Sequence, residues 1–373
     1  MLAVIVVLWL VGIRPAGVGR FVSALKRHKL VIVSLLWFAF VVFAVLFALN
    51  FSYFEEIHDI DDAVDAAVNG IDDGLNPYAE DIIPRFKERY SPDPEWAYGP
   101  YNYLPLDLLV YFAAWGLLGD LGTPVWFVLA NLVFSGIAMV VLRPLVRAKW
   151  ATFVPVAGTV MLFYSFDNAS LTLLLMVLSI YLYRTNKTHP ALFSIVLMSL
   201  ATLTKVYAAI PLIVLVLFEL EKQLRGRNWR VASEVVIAAC LSGAIALILL
   251  VPFGVQTVLD SAVFFHTSGE AREGTSIGGT VLAEIAAESA YYAVVSIALV
   301  LIALVVSFRL KSVNDRVLLV AIVFLLVSIK SSLAPLSVAG LFLVLSLRDR
   351  ADERAKRSAE ASGASVSDHA KHI

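Results

Sequence analysis

A chain of 373 residues with 60% hydrophobic and 16% charged residues, and a mean hydropathy of +0.83, lies outside the composition of ordinary soluble domains. Its formal net charge of −1 supplies no basic field for nucleic acid. The sole cysteine, Cys240, excludes an intrachain disulfide, a CxxC redox pair and a thiolate metal site together.

Bilayer lipid offers the backbone no hydrogen-bond partner, so long apolar runs there must be helices or strands of a closed barrel. Here Leu, Val, Ala and Ile run on without two-residue alternation, which selects helices. The fold class expected is therefore all-α, a polytopic transmembrane helical bundle of about 9–11 membrane segments with a large extracytoplasmic first loop. Residues 1–29 comprise an apolar segment, 1–13, and a basic cytoplasmic loop. The apolar part precedes the charge, the reverse of a secretory signal, and reads as a short extra segment. The membrane domain spans 30–347, and 348–373 reads as a disordered cytoplasmic tail.

In chain order, the clearest spans are 30–51, 124–142, 231–252 and 289–308. Shorter apolar runs occupy 104–119, 151–164, 171–183, 191–204, 207–220, 317–329 and 333–347. Basic stretches at 14–29, 143–149, 184–187, 222–230 and 309–316 mark the cytoplasmic side. Residues 51–102 and 254–288 then become outer loops, and 151–183 and 191–220 become hairpins with outward tips at Asp167-Asn168 and Lys205. Between Tyr103 outside and Arg143 inside the number of crossings must be odd, yet two apolar runs intervene. Either 104–119 does not fully span, or Arg143 and Arg147 depart from the charge rule.

The first outer loop carries Asp59-Ile60-Asp61-Asp62, then Asp65, then Gly74-Leu75-Asn76-Pro77-Tyr78, and ends at Tyr101-Asn102-Tyr103-Leu104-Pro105-Leu106, just before Asp107. Carboxylates beside a membrane helix suit a general base or a divalent cation, because both tasks need an anionic oxygen fixed at the interface. Asp59 and Asp61 can reach one ligand together where the segment is irregular. Set against this, acidic residues commonly do no more than solvate a loop. An ammonium between apolar half-segments, as at Lys205 in Thr204-Lys205-Val206-Tyr207, costs about 2.5–3.5 kcal/mol at a helix centre, so Lys205 either has a partner or snorkels to the headgroups. Lys330 poses the same choice. His266 and Arg272 stand with Ser276 in the second outer loop, where a guanidinium matches phosphate by offering two donors at once.

This ordered series resembles the C-type glycosyltransferases, polytopic enzymes that use lipid-phosphate sugar donors. It is most similar to the polyprenyl- and dolichyl-phosphate-mannose-dependent mannosyltransferases, including the catalytic subunit of the first GPI mannosyltransferase. Asp59-x-Asp61, Gly74-x-x-Pro77-Tyr78 and Tyr101-x-Tyr103-x-Pro105-Leu106 match that family's first outer loop and following helix start in order. Lys205-x-Tyr207 is similar to its Lys-x-Tyr-Pro, with Ala208 in place of proline, and Lys330-Ser331-Ser332 is followed by Leu333-Ala334-Pro335 where a Gln or Tyr often stands.

The resemblance implies a multi-pass cell-membrane enzyme with its active site outside. It would move a sugar, mannose by family weighting, from a polyprenyl or dolichyl phosphate to a glycan or glycolipid acceptor with inversion. Asp59 or Asp61 would serve as general base, Lys205, His266, Arg272 and Lys330 would hold the donor phosphate, and Tyr78, Tyr101, Tyr103 and Tyr207 would bind substrate. Phosphate leaves without an added proton, so no cofactor is required, although Asp59 and Asp61 permit a divalent cation. Competing readings are a transporter or lipid-linked-sugar flippase and a noncatalytic membrane subunit. No sequence feature names a protein partner.

Overall fold

A computed structural model describes residues 28–49, 59–79, 101, 103–123, 125–165, 167–226, 229–264, 289–327 and 333–361. These fall into two compact units, residues 28–264 and residues 289–361. Among the described residues every regular element is helical, as the unbroken apolar runs require.

The first unit contains α1 (Lys29–Leu49), α2 (Asp59–Asp72), α3 (Pro105–Leu118), α4 (Val125–Val146), α5 (Trp150–Tyr164), α6 (Ser170–Thr185), α7 (Pro190–Thr202), α8 (Ala209–Gly226) and α9 (Trp229–Leu250). Prolines sit in the first turns of α3 and α7, where the missing N–H has no intrahelical partner to lose. Consecutive helices pack from α2 through α5 and from α6 through α9, α1 packs on α5, and α6 also packs on α4 while α7 packs on α9. Trp37 donates its indole N–H to the Ala151 carbonyl at 2.9 Å and so ties α1 to α5.

The second unit contains α10 (Ser289–Ser307), α11 (Val313–Val327) and α12 (Leu333–Ala361). Asp315 accepts from Ser346 and, at 2.9 Å, from Arg350, while Asn314 donates to Asp349 at 2.6 Å. These bonds pin α11 to the middle of α12. The sequence placed the end of that helix at 347, but it continues to Ala361. Pairs Arg348–Asp352, Glu353–Arg357 and Lys356–Glu360 recur at four-residue spacing along the added turns, the spacing that supports an exposed helix.

Among the described residues two helices, Val125–Val146 and Ala232–Phe253, are long and apolar enough to cross a membrane by length and composition. By contrast, α3 has 14 residues and is about 21 Å long, short of the roughly 30 Å hydrocarbon core. Large apolar side chains stand uncovered along several helices: Phe38 is 68% exposed, Val140 70% and Ile248 71%.

The acidic segment after α1 is not irregular, because α2 begins at Asp59. Its buried Val64, Ala67 and Val68 pack at helical spacing into a core shared with Leu108, Tyr111, Trp126 and Phe127. Asp65 is a structural acid there. It accepts from the Trp126 indole at 3.1 Å and from Asn69 at 3.0 Å.

Candidate functional site

The Gly-x-x-Pro-Tyr motif is first a way of stopping a helix and aiming a tyrosine. Gly74 has φ +76°, a conformation that disfavours a side chain, and Leu75 N–H reaches back to the Gly70 carbonyl at 2.8 Å, closing α2 in a Schellman-type turn. Asn76 then accepts the Tyr78 N–H at 3.1 Å and donates to the Phe253 carbonyl at 2.9 Å. The Tyr101 N–H bonds to the Pro77 carbonyl at 2.8 Å, so both tyrosine motifs join at the backbone. Their rings continue the join. Tyr78 meets Tyr101 edge-on at 5.8 Å between centroids, and Tyr101 meets Tyr103 at 5.3 Å.

Pro105 starts α3 immediately afterwards and places Asp107 in its first turn, where a carboxylate suits the helix dipole. Asp107 is fully buried. Its Oδ2 accepts from the Tyr101 hydroxyl at 3.0 Å and from Asn168 Nδ2 at 2.9 Å, whereas Oδ1 has no hydrogen-bond partner. The other face of the Asn168 amide, Oδ1, accepts from Lys205 Nζ. Lys205 also places its ammonium 3.5 Å from the centroid of the Tyr103 ring, a cation–π contact. Asp107, Asn168 and Lys205 therefore form a relay in which one amide separates an acid from a base.

Both hairpin tips are shaped to make this contact. Asp167 accepts the Ala169 N–H at 3.0 Å and turns the chain into α6, leaving Asn168 buried. After α7, Lys205 has extended backbone (φ −142°), and Thr204 meets Thr172 at 2.7 Å, holding the two tips together. The tips do point toward one end of the unit, but Asn168 and Lys205 turn inward to each other. Snorkelling to headgroups is thus not the conformation Lys205 adopts. Burial pushes its ammonium down, and the charges of Asp167 and Asp107 oppose that shift. Tyr101 and Tyr78 are held well above the usual phenol range, chiefly by burial and then by Asp107, so both remain donors.

Of the residues expected from sequence, Tyr78, Tyr101, Tyr103 and Lys205 come together, with Tyr207 in the single-turn helix Val206–Ala208 that follows. Asp59 and Asp61 lie in the first turn of α2. Positions two apart on a helix stand about 200° apart around its axis, so the irregular backbone that would let them share one ligand is not what forms. Their side chains, like His266, Arg272 and Lys330, lie outside the described residues. Among the described residues no group of three or more His, Cys, Asp or Glu stands placed to hold a metal.

Asp107 and Asn168 were singled out only weakly by sequence. The signal for Asp107 was its position as the one Asp, Glu, Lys, Arg or His of the 104–119 run, since an acid in such a segment usually has a specific partner.

No protein-family model, curated protein or solved structure matches this chain.

Proposed function

We propose that this protein is a multi-pass membrane glycosyltransferase. It transfers a sugar, mannose in the specific form of the proposal, from a polyprenyl or dolichyl phosphate to an extracytoplasmic glycan or glycolipid hydroxyl. One observation carries the proposal: residues 74–78, 101, 103–107, 167–168 and 205, from separate parts of the sequence, converge on a buried acid and an ammonium. Uncovered apolar helix faces support a bilayer environment, because water-soluble surfaces rarely leave so many large apolar groups in place.

The mechanism follows from placing the donor phosphate at Lys205. In a single displacement the acceptor oxygen bonds to the anomeric carbon as its proton passes to a carboxylate, Asp59 or Asp61. The bond from that carbon to the phosphate oxygen breaks, and the lipid phosphate departs with the electron pair. Lys205, joined by His266, Arg272 and Lys330, stabilises the charge that gathers there. Inversion results and no sugar–enzyme bond forms. A hydrogen-bonded amide and a π face leave the ammonium with donor capacity for a phosphate oxygen.

The packing of α6 on α7 favours transfer at one end over passage of a substrate between these helices. Met176 and Val177 of α6 and Ile195 and Met198 of α7 are all buried and fill the middle with apolar bulk.

Incubation of the purified protein with a panel of lipid-linked sugars and acceptors, read by product mass spectrometry, tests the proposal. A transferred sugar is expected, with transfer abolished by combining Asp59→Asn and Asp61→Asn. Uptake of the same compounds into proteoliposomes without transfer would establish a transporter instead, and inactivity of the protein alone beside activity in a complex would make it a noncatalytic subunit.

A further inference from the structure

We infer that Asp107 and Tyr78 form a subsite for one sugar hydroxyl, with the phenol donating to the ligand oxygen and the carboxylate accepting its proton. Asp107 is 0% exposed and Tyr78 is 1% exposed, yet Asp107 Oδ1 and the Tyr78 hydroxyl oxygen both lack a hydrogen-bond partner. Buried polar atoms are nearly always paired, and two orphans in one cluster call for a common explanation. They do belong to one cluster. The Tyr78 ring packs edge-on against Tyr101, whose hydroxyl lies 3.0 Å from Asp107.

The chemistry of the two orphans selects the ligand group. Tyr78 offers a donor, and an ionised Asp107 offers only acceptors. A hydroxyl accepts from the first and donates to the second at the same time. An ionised Asp107 would repel a phosphate oxygen at this position. An ammonium would satisfy Asp107 but leave Tyr78 without an acceptor.

Asn168 adds direction. Its amide separates Asp107 from Lys205 by one residue, so an acceptor of hydroxyl protons and a binder of anions stand side by side. A sugar phosphate carries both groups in one molecule. The subsite thus deepens the glycosyltransferase proposal and rests on it: the hydroxyl belongs to the donor sugar or to the acceptor glycan, and its recognition makes Asp107 and Tyr78 specificity residues.

Monodeoxy analogues of the donor sugar and of the acceptor test this in the purified full-length protein. In the wild type, one deoxy compound is expected to lose about 10- to 100-fold in kcat/KM, the range for a hydrogen bond to a charged group. In Asp107→Asn and Tyr78→Phe the parent sugar should itself be transferred about 10- to 100-fold less efficiently, and the deoxy compound should lose little beyond that. Should Asp107→Asn fail to fold, Tyr78→Phe, which deletes a single hydroxyl, carries the test. A penalty in the donor series assigns the hydroxyl to the donor, one in the acceptor series assigns it to the acceptor, and either upholds the subsite. Undiminished discrimination in both variants overturns it, as does a wild type indifferent to every deoxy compound, which would mean that water alone fills the place. A wild type that transfers none of the parent sugars brings down the glycosyltransferase proposal itself, a different result from any of these.

Discussion

The first unit contains two sets of nearly the same chemical parts. Near one end of α6, Tyr101, Asp107 and Lys205 are joined through Asn168. At its other end, Tyr183 donates to Glu219, and Lys222 pairs with that same carboxylate at 2.9 Å. The second set is complete: acid and base touch, the phenol has its acceptor, and Lys222 stays half in solvent at 53% exposure. In the first set an amide holds acid and base apart, an oxygen of the acid has no partner, and the ammonium lies on a tyrosine ring. The same kinds of chemical group thus serve two ends. Where they neutralise one another they fasten helices; where they are kept apart, the proposed function assigns them to a ligand.

The strongest way to break this comparison is to remove the ammonium from the incomplete set. Lys205→Met keeps the apolar stem and deletes the charge, and sugar transfer in membranes should fall by about 100-fold or more, as when a charge-stabilising donor is lost. Next, Asn168→Ala removes the spacer and both of its bonds. Transfer should drop by about 10-fold or more, and the buried acid left with fewer donors should cost about 1–3 kcal/mol in thermal unfolding in detergent.

Glu219→Gln probes the complete set. Unfolding should become easier by about 1 kcal/mol, because Lys222 is solvent-screened, while the transfer rate stays at the wild-type level. The smallest effect concerns pH. Burial lowers the Lys205 pKa, so its charged form persists below that value and is lost above it. Bound phosphate favours the charged form. Affinity for a lipid phosphate should therefore weaken as pH rises through the lowered lysine pKa, with proton uptake on binding visible by calorimetry in buffers of different ionisation heat.

Helix positions were legible because apolar length dictates them: the run at 151–164 becomes Trp150–Tyr164, and 171–183 becomes Ser170–Thr185. The sequence of α2 reads as an acidic outer loop because its acids overlie a second pattern. Ile60, Val64, Ala67 and Ile71 recur at three and four residues, and that period buries one face whatever the charge of the other. The tyrosines and Lys205 were legible through their motifs. Asn168 was legible only as part of a hairpin tip, because its role depends on two tips meeting, and that contact is set by Thr172 of α6 against Thr204 just after α7. An acid two residues after a helix-starting proline also has an ordinary explanation in the helix dipole. Only its burial and its unpartnered oxygen set Asp107 apart.

The most direct measurement is equilibrium binding of a polyprenyl phosphate without sugar to the purified wild type, Lys205→Met and Lys222→Met. Equal binding by the wild type and Lys222→Met, with Lys205→Met at least about 10-fold weaker, is the predicted result. Unchanged affinity in Lys205→Met, or a loss confined to Lys222→Met, would contradict the assignment of the ligand to the Asp107–Asn168–Lys205 end.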